Sequence, residues 1–304
     1  MLMEIVPYKG WETCYRLANE KVDLIVTGEV GPRVIRFGFL DAPNEFCEYE
    51  EWLGRSGDAE WHNYGGHRLW HAPEQQPRTY APDNDPITVE EGANTTRFIQ
   101  SVEATTGIQK EMDIAIDPVE AHVTVTHRLR NTNLWTVELA PWALSVMAQG
   151  GKAIVPMPPR GSHRDNLLPN GNITLWAYTD LVDPRWTWGT RFAMLRQDPS
   201  AKTPQKAGFW VNQGWVAYAR AGHLFVKIFE SDPSAPYPDR GVNVETFTNQ
   251  RMLEVETMGP LTQLAPGATV EHVEQWYLFD NILMPENTAD IQKQILYLIL
   301  PHLK

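Results

Sequence analysis

The chain has 304 residues, with 42% hydrophobic and 21% charged residues and a formal net charge of −12. Such a length and composition support a sizeable packed core and exclude a disordered chain. The negative field has no basic stripe to offset it, which excludes nucleic acid and anionic membrane surfaces as expected partners.

The N-terminal "MLMEIVPYKG" has neither the basic start nor the apolar run of a signal peptide. The longest apolar stretch, "ILYLILPHL", is too short to span a bilayer. A cytoplasmic protein is therefore expected. Cys14 and Cys47 form neither a disulfide framework nor a CxxC pair, so free thiols are the simpler reading. The 12 Trp, 10 Tyr and 10 Phe matter because aromatics fill cores but also form flat surfaces on which sugar rings stack.

Taken in chain order, the predicted elements are short strands cut by turn sequences such as "TGEVGP", "DAPN", "APDNDP", "LPNGN" and "SDPSAP". From about Trp52 to Pro86 the pattern reads as one long loop, and loops of that size are usually functional. It contains "EWHNYGGHRLWHAPE", Glu60 to Glu74, in which His62, His67 and His71 are spaced five and four apart and Glu74 follows three later. Imidazoles and a carboxylate are divalent-metal ligands, although this spacing is not that of a zincin helix. The ordinary alternative is that these histidines are hydrogen-bonded loop anchors.

Further along, "AHVTVTHRLRN" places Val123, Val125, His127 and Leu129 on one strand face. Trp142 sits at a strand entry in "LAPWALSVM". "PMPPRGSHRDNLLPNG" is an irregular loop whose Arg160 and His163 are within chain reach of a cleft mouth. Arg164 follows in the same loop and Arg191 lies near "DPRWTWGTR", where Trp186 and Trp188 would give a sugar a flat wall. Surface ion pairing is the default role for these arginines. Trp176 and Trp210 fall in strand patterns and are expected in the core.

"GHLFVKIFES" alternates Leu224, Val226 and Ile228 on one side. In "QRMLEVETMGP", Glu254 and Glu256 share one strand face about 7 Å apart, with Glu245 of "VNVETFTN" as a neighbour across the hairpin. By pattern alone, such a face is solvated. Set in a concave sheet, the acids would repel, and one would have a raised pKa suited to proton transfer. "TVEHVEQWYLF" is a further strand, and "MPENTADIQKQILYLILPHL" reads as a helix capped by Asn287 or Thr288, with an apolar stripe that packs on the outside of the β body. The expected architecture is a mainly β protein, residues 1–304 forming a single large antiparallel β-sandwich with long loops and a C-terminal helix. No P-loop, G-x-G-x-x-G, G-x-S-x-G or CxxC pair is present, and no cofactor is expected.

The order of "GEVGPRVIRFGF", "NYGGHRLWHAPE", "HRLRNTNLWTVELAPWALSVM" and "VNVETFTNQRMLEVETMGPLTQLAPGATVEHVEQW" resembles the galactose mutarotase-like superfamily, the aldose 1-epimerase-like β-supersandwiches, especially a bacterial branch with a "GGHRLWHAPE" segment. The resemblance covers most of the chain through loose motifs. It implies a supersandwich fold, a small carbohydrate ligand, and a glutamate base with a histidine acid that open and close a sugar ring. The glutamate falls on Glu256 or Glu254. One histidine position falls at Tyr64, flanked by His62 and His67. The second falls near Pro141 or Trp142, neither of which transfers a proton, so His67 or His71 is the expected acid. Arg68, His62, Trp70, Glu74, Trp142, Trp186, Trp188 and Glu245 are expected to line the substrate site. Two other readings stand beside this one: a sugar-binding or sensing protein without catalysis, and a metal-dependent enzyme built on His62, His67, His71 and Glu74.

Overall fold

The computed structural model describes residues 2–303. Among them the chain forms two antiparallel sheets of eleven and ten strands, the β-sandwich that the alternation predicts. In the strand His122–Asn131, Val123, Val125, His127 and Leu129 are all fully buried while the residues between them are not. Val123 and Val125 join Phe37, Phe225, Val255 and Trp276 in the main core between the sheets.

The first sheet positions the candidate site. Across its middle run Val34–Phe39, Gly66–Ala72, Val137–Met147, Leu253–Met258, Val244–Thr248 and Gln205–Phe209, with Ile173–Leu175 at the edge. The expected loop from Trp52 to Pro86 is therefore corrected: its "GHRLWHA" segment is a central strand with every residue buried. A strand covered on both faces has no apolar–polar alternation, so period-2 reading misses it. Gly65 and Gly66 make its entry possible. Gly66 has φ +69°, and a Cβ there would lie 2.5 Å from the Val34 carbonyl oxygen. Only glycine adopts that conformation so close to a neighbouring backbone.

The second sheet carries the C-terminal helix on its outer face, as predicted. Ile291, Ile295 and Ile299 pack with Leu224, Val226, Ile154 and Met194. Asn287 caps the helix by accepting from the backbone N–H groups of Ala289 and Asp290. The helix is shorter than the sequence pattern suggested. It runs Thr288–Gln294 and gives way to a single turn, Leu296–Ile299, and a 3₁₀ turn at Leu300–His302. Pro301 lacks the N–H needed to continue. Among the described residues no helix is long and apolar enough to cross a membrane.

Candidate functional site

Side chains alternate along the central strands, and this splits the charged residues into two groups on opposite faces. Arg68 faces Leu144 in register, Glu256 faces Leu144 from the other side, and Glu245 faces Glu256. Arg68, Trp70, Trp142, Glu254, Glu256, Glu245 and Lys206 therefore share the outer face of the first sheet. His67 and His71 occupy the intervening positions and point into the space between the sheets.

On the outer face Lys206 is the hub. Its Nζ lies 2.6 Å from Glu245 Oε2 and 3.5 Å from Glu256 Oε2. It also sits over the rings of Trp142 and Trp176, at 4.9 and 4.7 Å. The Trp142 indole N–H donates to Glu256 Oε2 at 2.9 Å. Beside this group Arg68 pairs with Glu254 at 3.1 Å and lies against Trp70 and Trp61, its Cζ 4.4 and 5.4 Å from their ring centres. Trp61, Trp70 and Tyr80 contact one another edge to face and form a wall. Glu74 accepts from the Tyr80 hydroxyl at the exposed rim.

The expectation of a solvated acidic strand face is corrected. Glu254 is 7% exposed, and Glu256 and Glu245 are 0% exposed. Burial pushes the Glu245 carboxyl well above the usual range, and the Lys206 ammonium only partly opposes it. Burial raises Glu256 in the same direction. Burial alone would depress Lys206, but Glu245 and Glu256 outweigh it and hold the ammonium well above its ordinary value. Several polar atoms here have no hydrogen-bond partner in the protein: Glu245 Oε1, Glu256 Oε1, and Arg68 Nε and Nη1. Buried polar atoms are normally paired, so these unpaired atoms on one sheet face have hydrogen-bonding capacity that the protein does not use.

The histidines do not join this site. His67 Nε2 lies 2.7 Å from His127 Nε2 and its Nδ1 2.9 Å from Ser145 Oγ. His71 Nε2 lies 3.4 Å from Glu103. His62 is bonded to Asp58 at 2.7 Å and stacked on Trp52 at 3.7 Å. The expected convergence of His67 or His71 with the glutamates is thus corrected, because neighbours of Arg68 and Trp70 on a strand must face the other way. The four-residue metal set is corrected too: His62, His67, His71 and Glu74 have separate partners. Among the described residues, the group close enough to share a cation is His67, His127 and Glu274. Lys227 already lies 2.9 Å from that glutamate, so a resident ammonium balances the charge. Lys227 also donates to the carbonyls of Ala143 and Val255, tying this buried network to the back of the site strands.

Trp186 and Trp188 are likewise not walls of the acidic face. Trp186 packs in the inter-sheet core and stacks on Trp188, which is exposed and donates its indole N–H to the Leu181 carbonyl. Arg160, His163, Arg164 and Arg191 are exposed on loops. Trp210 lies against Tyr237, 5.0 Å between centres. Trp176, expected in the core, instead covers Lys206. A Cβ on Gly208 would stand 3.4 Å from its indole, an ordinary contact, and 2.8 Å from Val242 Cγ2, so that glycine makes room for the Val242 side chain. Sequence reading missed Lys206 and Trp176. A lysine inside the buried run "QKAGF" was the available signal, since lysines are almost never fully buried unless paired.

No protein-family model and no curated protein sequence matches the chain. Solved structures do. A TPR-domain containing protein from Parabacteroides distasonis aligns at 16% identity and TM-score 0.59 over 89% of this chain, which spans 47% of that protein's length. A galactose mutarotase-like protein from Lactobacillus casei aligns at 9% identity and TM-score 0.58, over 88% of this chain and 100% of that one. A galactose mutarotase related enzyme from Lactobacillus acidophilus aligns at 9% identity and TM-score 0.52, over 88% and 98%. These likenesses show the fold alone: the chain shares the β-sandwich architecture of these proteins.

Proposed function

We propose that the outer face of the first sheet binds an uncharged aldose and interconverts its anomers, an aldose 1-epimerase-like isomerisation with Glu256 as the base. The observation that supports this most is the buried carboxyl pair, Glu245 and Glu256, with oxygens unpaired by protein beside Trp142 and Trp176. Glu254 is the weaker base candidate because Arg68 engages it. An uncharged sugar fits better than a phosphate or uronate. Glu74, Glu245, Glu254 and Glu256 surround two cations, Arg68 and Lys206, both already paired with carboxylates. An added anion would have to displace those pairs in a desolvated setting.

A second reading, sugar binding without conversion, is favoured by the lack of a histidine on this face among the described residues. Polarimetry or NMR exchange separates the two. Wild-type protein should accelerate anomer equilibration of glucose or galactose, act poorly on glucose 6-phosphate, and lose the acceleration in Glu256→Gln. No acceleration with any common aldose, together with saturable sugar binding, would leave the binding reading in its place.

A further inference from the structure

Large apolar side chains in water are ordinary when scattered and informative when gathered. Among the described residues seventeen of them are exposed, and eight of the seventeen fall between Leu167 and Trp188. Ile173, Leu175, Leu181 and Trp188 line one cleft of about 240 Å³. Leu168 extends it, sharing a second cleft with Ile173. Both clefts lie at one end of the sandwich, where Ile173–Leu175 is the last strand of the first sheet and Trp186–Trp188 the last strand of the second. Exposed sheet edges are normally blunted by charge or proline, and Ile173–Leu175 carries neither.

The register shows what this edge leaves free. The Trp210 N–H donates to the Asn172 carbonyl, and Thr174 lies opposite Gly208. Hydrogen-bonded positions alternate along an antiparallel pair, so Ile173 and Leu175 turn their N–H and C=O groups to the free edge. Among the described residues no other strand pairs them.

We propose that a second copy of the chain docks on this edge, the two Ile173–Leu175 strands pairing antiparallel across a two-fold axis at Thr174. Ile173 then lies opposite Leu175 of the second copy, and the reverse, for about four backbone hydrogen bonds. The contact is isologous, and both apolar clefts come to one side of the joined sheet. Area favours this occupant. The exposed apolar residues of the stretch present roughly 700–800 Å² on each copy, against about 800 Å² per partner in a specific interface. Charge favours it too. Residues 158–192 hold four arginines and three aspartates, a net of +1 in a chain of −12, which leaves −13 for the rest. Two copies therefore repel least through this face, and a strongly charged foreign partner finds little on it to recognise. The paired strand runs directly into Trp176, whose indole lies over Lys206, so the contact would brace one side of the candidate site.

The test uses the full chain alone. Sedimentation velocity from about 1 to 100 µM should reach twice the chain mass at the upper end, since an interface of this size supports micromolar or tighter association. Amide exchange at Ile173 and Leu175 should slow as concentration rises, whereas Thr174, already paired with the neighbouring strand, should change little. Raising salt from about 0.05 to 0.5 M should tighten the dimer, because screening relieves the repulsion between two acidic chains. Leu175→Lys brings two ammonium groups to the axis and should raise the dimer Kd at least about 10-fold. Ile173→Pro deletes an edge N–H that the single chain does not use and should act the same way. Leu134→Lys, at an exposed bend elsewhere, should leave Kd unchanged. Circular dichroism melts establish that each variant is folded, and the exchange of Ile173 and Leu175 in wild type needs no variant. A wild type that stays monomeric at about 100 µM overturns the docking. So does a dimer that both edge variants leave intact, or one in which these two amides exchange at the monomer rate. None of these outcomes touches the isomerase reading.

Discussion

Replacing Lys206 by methionine keeps the stem that packs between Trp142 and Trp176 and removes the charge. In wild type the ammonium sits 2.6 and 3.5 Å from two buried carboxyls. At an effective dielectric of about 20 these pairs are worth roughly 6 and 5 kcal/mol in gross Coulomb energy. The net loss is smaller because a carboxyl without its partner takes up a proton, and breaking a buried ion pair costs about 3–5 kcal/mol. That range is expected for Lys206→Met at pH 8, measured as the difference in urea unfolding free energy. The pH dependence carries the mechanism. Glu245 and Glu256 are raised in the fold relative to the unfolded chain. In the variant, with the opposing ammonium gone, they rise further. Its folded state then binds more protons than the unfolded state above the ordinary carboxylate range, and it regains stability as pH falls toward about 4.5. The difference between variant and wild type should therefore shrink between pH 8 and pH 5, with changes common to both proteins cancelling. A loss below about 1 kcal/mol at pH 8, or one that does not change with pH, would refute the assignment of Lys206 as counter-ion to the pair.

Two further outcomes follow from the network behind the site and from the strand entry. Burial lowers His272 to about 3, and Glu274 is held at about 2 by Lys227, His127 and His272 against its own burial. The unfolded histidine binds its proton near pH 6.5, so stability present above that value should fall by about 1.4 kcal/mol per pH unit from His272 alone as pH drops toward 3. Glu274 adds a loss of the same sign below about 4.5. Urea unfolding of the wild type and of His272→Gln across that window measures it, because the raised Glu245 and Glu256 carboxyls act with the opposite sign in both and cancel; a difference between the two proteins that does not change from pH 6.5 to 4.5 would contradict a neutral buried His272. Gly66→Ala should destabilise by at least about 1–2 kcal/mol, the cost of a left-handed φ in an L-residue, before the clash with the Val34 carbonyl is added. A thermal melt unchanged from wild type would show that the strand entry does not have this backbone geometry.

Much of the fold was legible in the chain itself. Alternation in "AHVTVTHRLRN", the turn sequences between strands and the Asn287 cap are local signals, and each appears where it was expected. The pairing of Glu245 with Glu256 was legible too, because a hairpin fixes register over a few residues. Local pattern could not say which residues lie behind a sheet and which lie before it when both sides are covered. "GHRLWHA" has polar and apolar residues at every parity, so one short run sent Arg68 to the carboxylates and His67 and His71 to the inter-sheet core. Nor could sequence bring Lys206 to Glu256, 50 positions later, since long-range packing of strands decides that contact. The sequence by itself determined strands, turns and the supply of acids, indoles and imidazoles. Tertiary structure alone decided which of them meet, because burial on both faces erases the periodicity that reveals orientation.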